Sequence, residues 1–254
     1  MLTAATGPKE ASVQHLSWQP SGPLLLLARP DTVDLLQVGL TPYRVAWDLQ
    51  RDLFARVAAG EAPDTLILVE HPHVYTYGRA TDMANMLLTP ERMAAIGAES
   101  FEIERGGDVT YHGPGQLVGY PILNLEHFRT DLGWYLRALE ESIIRLLASY
   151  GLEGFRIAGR TGVWLGPAGR EEKICAIGVR AARWCTMHGF ALNVSTDLSY
   201  FQHIIPCGIA DRGVTSLERV LGRPITLAEV QDRYATAFSE VFGVALEVQP
   251  SPLP

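Results

Sequence analysis

The sequence predicts an α+β domain built from a mixed β-sheet with covering helices. Short apolar runs of strand-like composition alternate, in no regular order, with long segments in which apolar residues recur at helical spacing. Glycine and proline clusters separate these segments, and no repeat or low-complexity block interrupts them. A chain of 254 residues that is 47% hydrophobic can bury a substantial core. We expect the helices to cover one side of the sheet.

The first part of the chain divides into a tail and the start of the domain. Residues 1–31 are rich in proline, alanine, glycine and serine, which predicts a flexible N-terminal extension. We expect residues 32–254 to form a single domain. It begins with a strand over 33–38 and a helix over 42–59, which a proline opens and a glycine ends. Four apolar residues at helical spacing predict the buried face of this helix: Val45, Leu49, Leu53 and Val57.

Short elements follow and deliver the chain to a glycine-rich stretch. Residues 65–70 and 73–77 have the composition of strands. A short helix over 90–96 precedes a further strand over 101–104. After the glycines, residues 117–125 form another apolar, strand-like run. The glycine-rich stretch is therefore held between two strands.

The second half of the chain opens with its clearest helix, over 132–150, which Gly151 ends. Four strands come next, and a Gly-Pro-Ala-Gly turn joins the second to the third. The strands are predicted over 155–157, 162–165, 173–179 and 187–194. Capping boxes at Thr215 with Glu218 and at Thr226 with Glu229 predict two more helices. Residues 244–248 read as a last strand.

Composition excludes several classes of protein. A net charge of −7 and a pI near 5.5 argue against a nucleic-acid partner, which requires a basic face. Three cysteines give neither a disulfide framework nor paired metal ligands, so a reducing cytoplasm is the expected setting. The longest early apolar run, residues 24–28, is too short to span a membrane, and no signal peptide precedes it.

Lysine is rare in this chain. Of its 21 basic residues only Lys9 and Lys173 are lysines, and Lys9 falls in the predicted extension. Arginine stays protonated at any working pH, whereas a lysine amine can lose its proton. Lys173 is therefore a candidate for a titratable amine with a chemical role, although biased composition also explains the count.

The glycine-rich stretch has the properties of a binding loop. Glycine allows the backbone to approach a ligand closely, and the loop also carries polar groups that can orient one. The candidate ligand-binding residues are Arg105, Gly106, Gly107, Asp108, Val109, Thr110, Tyr111 and His112.

Three motifs together resemble the lipoyl(octanoyl) transferase family. The first is the run Arg-Gly-Gly-x-x-Thr-Tyr-His-Gly-Pro-Gly-Gln over 105–116, and the second is Ile-Pro-Cys-Gly-Ile over 205–209. The third joins Gly-Val-Trp at 162–164 to Lys-Ile-Cys-Ala-Ile-Gly at 173–178, and it continues into Met-His-Gly-Phe-Ala-Leu-Asn at 187–193.

The resemblance implies a fold and a reaction. It implies the biotin/lipoate protein ligase fold over about residues 33–222. It also implies transfer of an octanoyl group from octanoyl-acyl carrier protein to a lysine of a lipoyl domain, the first step of protein lipoylation. The acceptors implied are the E2 subunits of 2-oxoacid dehydrogenases and the glycine cleavage H protein.

The resemblance also assigns the site. It implies that Cys207 and Lys173 form the catalytic pair. Besides the glycine loop, it implies substrate-binding backbone at Ala176, Ile177 and Gly178, and at Gly189, Phe190 and Ala191. The other two cysteines differ from Cys207 in context. Cys175 lies in an apolar strand and Cys185 follows a tryptophan, so both read as structural thiols.

A thiol next to an amine can perform acyl transfer by way of a thioester. A free thiol, with a pKa of about 8.5, is only a few per cent thiolate at neutral pH. An adjacent amine raises that fraction, either as a neutral base or as the ammonium partner of the thiolate, and the sequence leaves both open. Backbone amides near Cys207 and Gly208 are expected to stabilise the oxyanion. A thioester donor is already activated, so no cofactor or metal is expected.

The histidines are further candidates for a functional role. His112 fits either ligand binding or structural support, whereas structural support is favoured for His188. His71, His73 and His203 have no acidic or thiol residue at the spacing of a metal site.

Three other functions compete with octanoyl transfer. An ATP-dependent lipoate or biotin ligase of the same fold would use free octanoate and need no cysteine. A non-catalytic acyl-binding module would need neither Lys173 nor Cys207, and a cysteine thioesterase would use water as the acceptor.

Overall fold

A computed structural model of the chain describes residues 30–205 and 212–253. Nearly all of the predicted extension and the predicted nucleophile Cys207 lie outside the described residues. The strands, in chain order, are β1 (Thr32–Leu40), β2 (Thr65–Glu70), β3 (Val74–Tyr77), β4 (Glu99–Glu102), β5 (Thr110–His112), β6 (Gln116–Ile122), β7 (Phe155–Ile157), β8 (Arg160–Leu165), β9 (Glu172–Ala182), β10 (Cys185–Asn193), β11 (Gly213–Val214) and β12 (Ala245–Gln249). The α-helices are α1 (Tyr43–Ala58), α2 (Pro90–Ala95), α3 (Leu132–Ala148), α4 (Leu217–Leu221) and α5 (Leu227–Phe242).

Within the described residues, nine strands form one mixed sheet in the order β12-β1-β2-β6-β10-β9-β8-β7, with β11 paired to β9. The pairs β12-β1, β1-β2 and β11-β9 are parallel, and the other pairs are antiparallel. A second sheet of three strands has the order β4-β3-β5. The predicted mixed sheet is confirmed.

Helices cover both faces of the main sheet, so the expectation of one covered side is wrong. Along β2, Leu66 and Leu68 pack into the core under α3 and α5, while Ile67 and Val69 pack under α1. A strand with apolar residues at every position is buried on both faces. The face of α1 also differs from the one predicted, since Val45 is 40% exposed. Its buried side is formed by Tyr43, Ala46, Trp47, Gln50, Leu53, Phe54 and Val57.

Most predicted elements are present, but one helix cap differs. Thr226 caps α5 as expected, with its hydroxyl accepting from the Glu229 amide at 3.2 Å. At α4 the cap is Ser216 rather than Thr215. The Thr215 amide instead donates to the Lys173 carbonyl at 3.0 Å, which keeps Thr215 in the extended segment that follows β11.

The β9-β10 hairpin is longer than predicted, and it carries the chain from Lys173 back to the glycine loop. Its turn is formed by Arg183 and Trp184, both with positive φ. Glycine usually marks such a turn in a sequence, and here it is absent.

Among residues 30–205 and 212–253, no helix is long and apolar enough to cross a membrane.

Candidate active site

The glycine-rich stretch, residues 105–116, is called the glycine loop. It packs on the main sheet at a point where two neighbouring strands both carry glycine. Gly178 of β9 lies directly opposite Gly189 of β10, and the Gly106 amide donates to the Val179 carbonyl at 2.9 Å. A Cβ atom on Gly189 would lie 2.2 Å from the Gly119 carbonyl oxygen. Glycine is therefore required for these backbones to approach so closely.

A cavity lies between this loop and the sheet. It encloses about 490 Å³ of space free of protein atoms, including its opening to solvent. Exposed Gly106 and Gly107 lie at its mouth, whereas its inner end is formed by side chains that are almost fully buried. The inner side chains are those of Tyr43, His112, Tyr120 and His188. The predicted binding residues that line the cavity are Arg105, Gly106, Gly107, Asp108, Val109, Thr110, His112, Ala176, Ile177, Gly178, Gly189, Phe190 and Ala191.

Tyr111 is the predicted loop residue that does not line this cavity. Its ring is fully buried in a neighbouring aromatic cluster, and its hydroxyl lies 2.7 Å from Nδ1 of His73. The ring also stacks on Tyr200 with a centroid separation of 5.0 Å. Tyr111 therefore supports the loop from beneath.

Arg105 fixes the start of the loop from inside the protein. Its Nη2 atom donates to the carbonyl oxygen of Thr76 at 2.7 Å and to the Thr76 hydroxyl at 3.0 Å. Its Nη1 atom donates to the carbonyl oxygen of Gly106 at 3.0 Å. Asp108 accepts from the amide of Val109 at 2.6 Å and from the side-chain amide of Asn85. The loop is thus held by side chains of its own sequence, because its glycines contribute none.

A hydrogen-bond chain joins the loop to the backbone of Lys173. His112 Nδ1 donates to the side-chain oxygen Oε1 of Gln116 at 2.8 Å, and the side-chain Nε2 of Gln116 donates to Asn193 Oδ1 at 2.9 Å. The side-chain Nδ2 of Asn193 donates to the Thr215 carbonyl at 3.0 Å, and the Thr215 backbone amide donates to the Lys173 carbonyl as described above. Burial lowers the pKa of His112 to about 3, so its ring is neutral. This chain fixes the spacing between the cavity and the lysine.

The Lys173 side chain is buried among aromatic and aliphatic groups. It is 8% exposed, and its Nζ atom lies 4.8 Å from the centroid of the Trp164 ring. It borders an open groove, lined also by Leu132 and Leu136 of α3. The groove shares four lining residues with the cavity: Gly106, Gly107, Ile177 and Gly178. Lys173 therefore lines a groove that meets the cavity at its mouth.

The two described cysteines are both inaccessible to solvent. Cys175 and Cys185 are fully buried. Burial raises the pKa of the Cys185 thiol to about 12 and that of Cys175 far above its ordinary range. Both match the structural role predicted for them. Within the part of the chain that the structure describes, no three histidine, cysteine or acidic residues are grouped as metal ligands.

Sequence reasoning missed two aromatic residues of the cavity. Tyr43 lies in helix α1, far from the glycine loop in sequence, and Tyr120 lies in strand β6, which directly follows the loop; each reads as ordinary core. Their proximity follows from the pairing of β2, β6 and β10 under α1. No local signal marks such a contact.

The sequence of the described domain matches a known family. Residues 42–239 match the model of the lipoyl protein ligase A/B catalytic domain. The chain therefore belongs to that family, and within it groups with the octanoyltransferases. It is 49% identical over 226 residues to an octanoyltransferase of Flavobacterium psychrophilum, covering 83% of this chain and 97% of that one. It is 56% identical over 207 residues to that of Rubrobacter xylanophilus, covering 81% and 91%. The resemblance read from the motifs is confirmed.

Solved structures agree on the fold. A bipartite lipoate protein ligase of Thermoplasma acidophilum has a TM-score of 0.66 at 19% identity, covering 86% of each chain. A lipoate-protein ligase A crystallised with ATP has a TM-score of 0.64 at 17% identity, covering 86% of this chain and 88% of that one. At such identities the similarity concerns the fold alone.

Proposed function

We propose that this enzyme transfers an octanoyl group to a lysine of a lipoyl domain by way of a thioester on Cys207, with Lys173 as its proton-handling partner. The observation that carries the proposal is the shared lining of the cavity and the groove. An acyl chain in the cavity would place its carbonyl at Gly106, Gly107, Ile177 and Gly178, where the cavity meets the groove that Lys173 lines.

The lining of the cavity suits an alkyl chain. The cavity runs inward from the exposed Gly106 and Gly107 to side chains that are almost fully buried, so one end of a chain can enter while the other stays near solvent. Close packing of glycine backbones gives it narrow walls, and the apolar side chains of Val109, Ile177 and Phe190 face it. An extended alkyl chain gains free energy from every methylene that it buries there.

The first half-reaction acylates the enzyme. The Cys207 thiol gives up its proton, and the sulfur attacks the carbonyl carbon of the donor thioester. A bond from carbon to the Cys207 sulfur forms, and the bond to the donor sulfur breaks. The leaving thiolate takes up the proton, with Lys173 carrying it between the two sulfurs. Backbone N–H groups at the tight Pro-Cys-Gly sequence would stabilise the oxyanion.

The second half-reaction regenerates the thiol. The neutral ε-amine of an acceptor lysine attacks the enzyme thioester, so that an amide bond forms and the bond to Cys207 breaks. Lys173 takes a proton from the attacking nitrogen and returns it to the Cys207 thiolate. No step requires ATP or a metal, since the donor thioester supplies the free energy.

Partners and compartment follow from this chemistry. The donor is octanoyl-acyl carrier protein, whose flexible arm would enter along the groove beside α3. The acceptors are lipoyl domains, such as those of 2-oxoacid dehydrogenase E2 subunits and the glycine cleavage H protein. A nucleophilic thiol must stay reduced, which places the enzyme in the cytoplasm.

One experiment tests the central step. Incubate the protein with octanoyl-acyl carrier protein without an acceptor, and measure intact mass followed by peptide mapping. We expect one hydroxylamine-labile octanoyl group on Cys207. It should be absent in Cys207→Ser and retained in Cys185→Ala, a control for the buried thiols. An adduct elsewhere, or none, contradicts the proposal.

One further variant and two substrate conditions separate the rivals. Lys173→Arg keeps a positive charge but loses the titratable amine, so overall transfer should slow strongly. Full activity of this variant would remove the proton-handling role. Rapid release of octanoate without an acceptor would indicate a thioesterase. Transfer that needs free octanoate and ATP would indicate a ligase.

A further inference from the structure

His188 lies at the inner end of the cavity and differs from the other buried histidines there. It is 2% exposed, yet neither of its ring nitrogens has a hydrogen-bond partner among the described residues. By contrast, both nitrogens of His71 are bonded, Nδ1 to the Thr41 carbonyl at 2.7 Å and Nε2 to the Tyr120 hydroxyl at 2.8 Å. Buried polar atoms in proteins are nearly always paired, so the ring of His188 requires a ligand.

The backbone of His188 indicates that the side chain is held there against a conformational preference. Its φ is +59° in the middle of strand β10, where non-glycine residues are disfavoured. The Gln50 side-chain oxygen accepts from the His188 amide at 3.0 Å and fixes this conformation from helix α1. The backbone at position 188 would be relaxed with a glycine, as at the next position, Gly189. The chain instead has a histidine there.

The chemistry of the ring restricts its ligand. Burial lowers the pKa of His188 to about 3, with further contributions from the Arg105 and Arg180 charges. The ring is therefore neutral, with one nitrogen that donates and one that accepts. A hydroxyl group or a water molecule matches that pair of functions. A buried carboxylate would be penalised by desolvation.

We propose that the inner end of the cavity is a hydrogen-bonding subsite, centred on His188, that binds one neutral hydroxyl-type oxygen. With an alkyl chain in the cavity this oxygen belongs to water, and with an acyl group hydroxylated at its far end it belongs to the ligand. A longer alkyl chain must displace the water and leave the ring nitrogens unpaired. The subsite thereby limits acyl length by desolvation rather than by a steric wall.

The inference rests on the proposed function only in taking the cavity as the acyl site, and binding measurements can test it without catalysis. The ligands are N-methylalkanamides of six to twelve carbons and their ω-hydroxy counterparts, which cannot acylate a thiol. Calorimetry gives, at each length, the affinity of the hydroxy ligand relative to the methyl ligand. In the wild type this ratio should peak at the length that reaches His188.

Substitutions at His188 decide the outcome. His188→Phe keeps a planar ring without nitrogens, and the peak ratio should fall about tenfold or more. Asparagine tolerates the left-handed backbone and keeps a polar group. His188→Asn should therefore retain part of the preference for the hydroxy ligand over the methyl ligand. If His188→Phe does not fold, His188→Gly serves as the apolar comparison. The longest alkyl chains should bind better to the apolar variants than to the wild type.

The possible failures are distinguishable. If no amide of either series binds the wild type, the assignment of the cavity to acyl groups is wrong. If both series bind and the ratio is the same in wild type and His188→Phe, the acyl assignment stands and the subsite is overturned.

Discussion

The Nζ atom of Lys173 lies 4.8 Å above the indole ring of Trp164. The two residues are cross-strand partners in β9 and β8, and both are buried, so the contact is fixed by the sheet rather than by mobile side chains. The face of an indole ring carries negative potential and attracts a cation. Trp164 therefore favours the ammonium form of Lys173 and opposes the effect of burial, which disfavours it; in the proposed pair with Cys207 this contact would support the thiolate–ammonium account.

Replacing Trp164 should lower the reactivity of the catalytic thiol. A desolvated cation–π contact contributes about 1–2 kcal/mol, so Trp164→Leu should reduce the thiolate fraction at neutral pH by about five- to thirtyfold. The measurement is the rate of iodoacetamide alkylation of Cys207 against pH. Trp164→Phe keeps a weaker aromatic face and should fall between wild type and leucine. A faster reaction in Trp164→Leu would favour the neutral base instead.

Arg105 should be irreplaceable by lysine. Lysine cannot reproduce the forked contact with the Thr76 carbonyl and hydroxyl, so Arg105→Lys should lower the free energy of unfolding by about 2–3 kcal/mol. Thr76→Val is the matched control, because it removes the hydroxyl but keeps the carbonyl, and it should cost about 1 kcal/mol. Urea unfolding measures both. Equal stability of Arg105→Lys and wild type would mean that the arginine does not hold the loop.

Stability should fall as the pH is lowered from 7 toward 5. Burial lowers the pKa of His71 to about 4, and those of His112 and His188 to about 3. Because these values lie below the unfolded value of about 6.5, unfolding takes up protons. The stabilisation is therefore complete above that pH and is lost below it. Each histidine should contribute a slope of up to about 1.4 kcal/mol per pH unit.

Urea unfolding at pH 7.0, 6.0 and 5.5 tests this, in a range where most carboxylates stay ionised. His112→Gln keeps a polar side chain at that position. It should reduce the slope of the free energy of unfolding against pH by the contribution of one histidine. A stability that does not change over this range would show that the buried rings are protonated in the fold.

Two glycines at the cavity should respond differently to a methyl group. In Gly189→Ala the added Cβ would meet the Gly119 carbonyl oxygen at 2.2 Å, so backbone must shift, at a cost of about 1–3 kcal/mol. In Gly106→Ala the Cβ would lie 3.5 Å from the Val179 oxygen, an ordinary contact. We expect near wild-type stability for Gly106→Ala, as measured by urea unfolding. Equal loss in both variants would mean that the strands at Gly189 are not closely packed.

Local patterns predicted most elements because they depend on neighbouring residues. The periodicity of α3, the Thr226 cap and the Gly-Pro-Ala-Gly turn act over a few residues, and the structure has each of them. The errors concern interactions across the chain. The second covered face of the sheet, the cap at Ser216 and the exposed Val45 all depend on which surfaces meet, and composition does not record that.

The sequence by itself determined the family, the glycine loop and the rarity of lysine, because contiguous motifs and residue counts are properties of the chain alone. Tertiary structure decided that Trp164 faces Lys173, that Tyr43 and Tyr120 close the inner end of the cavity, and that His188 is buried there without a partner in the described residues. These contacts arise from strand register and from the helix that packs over it. These contacts stabilise the protein only when both surfaces are buried against each other.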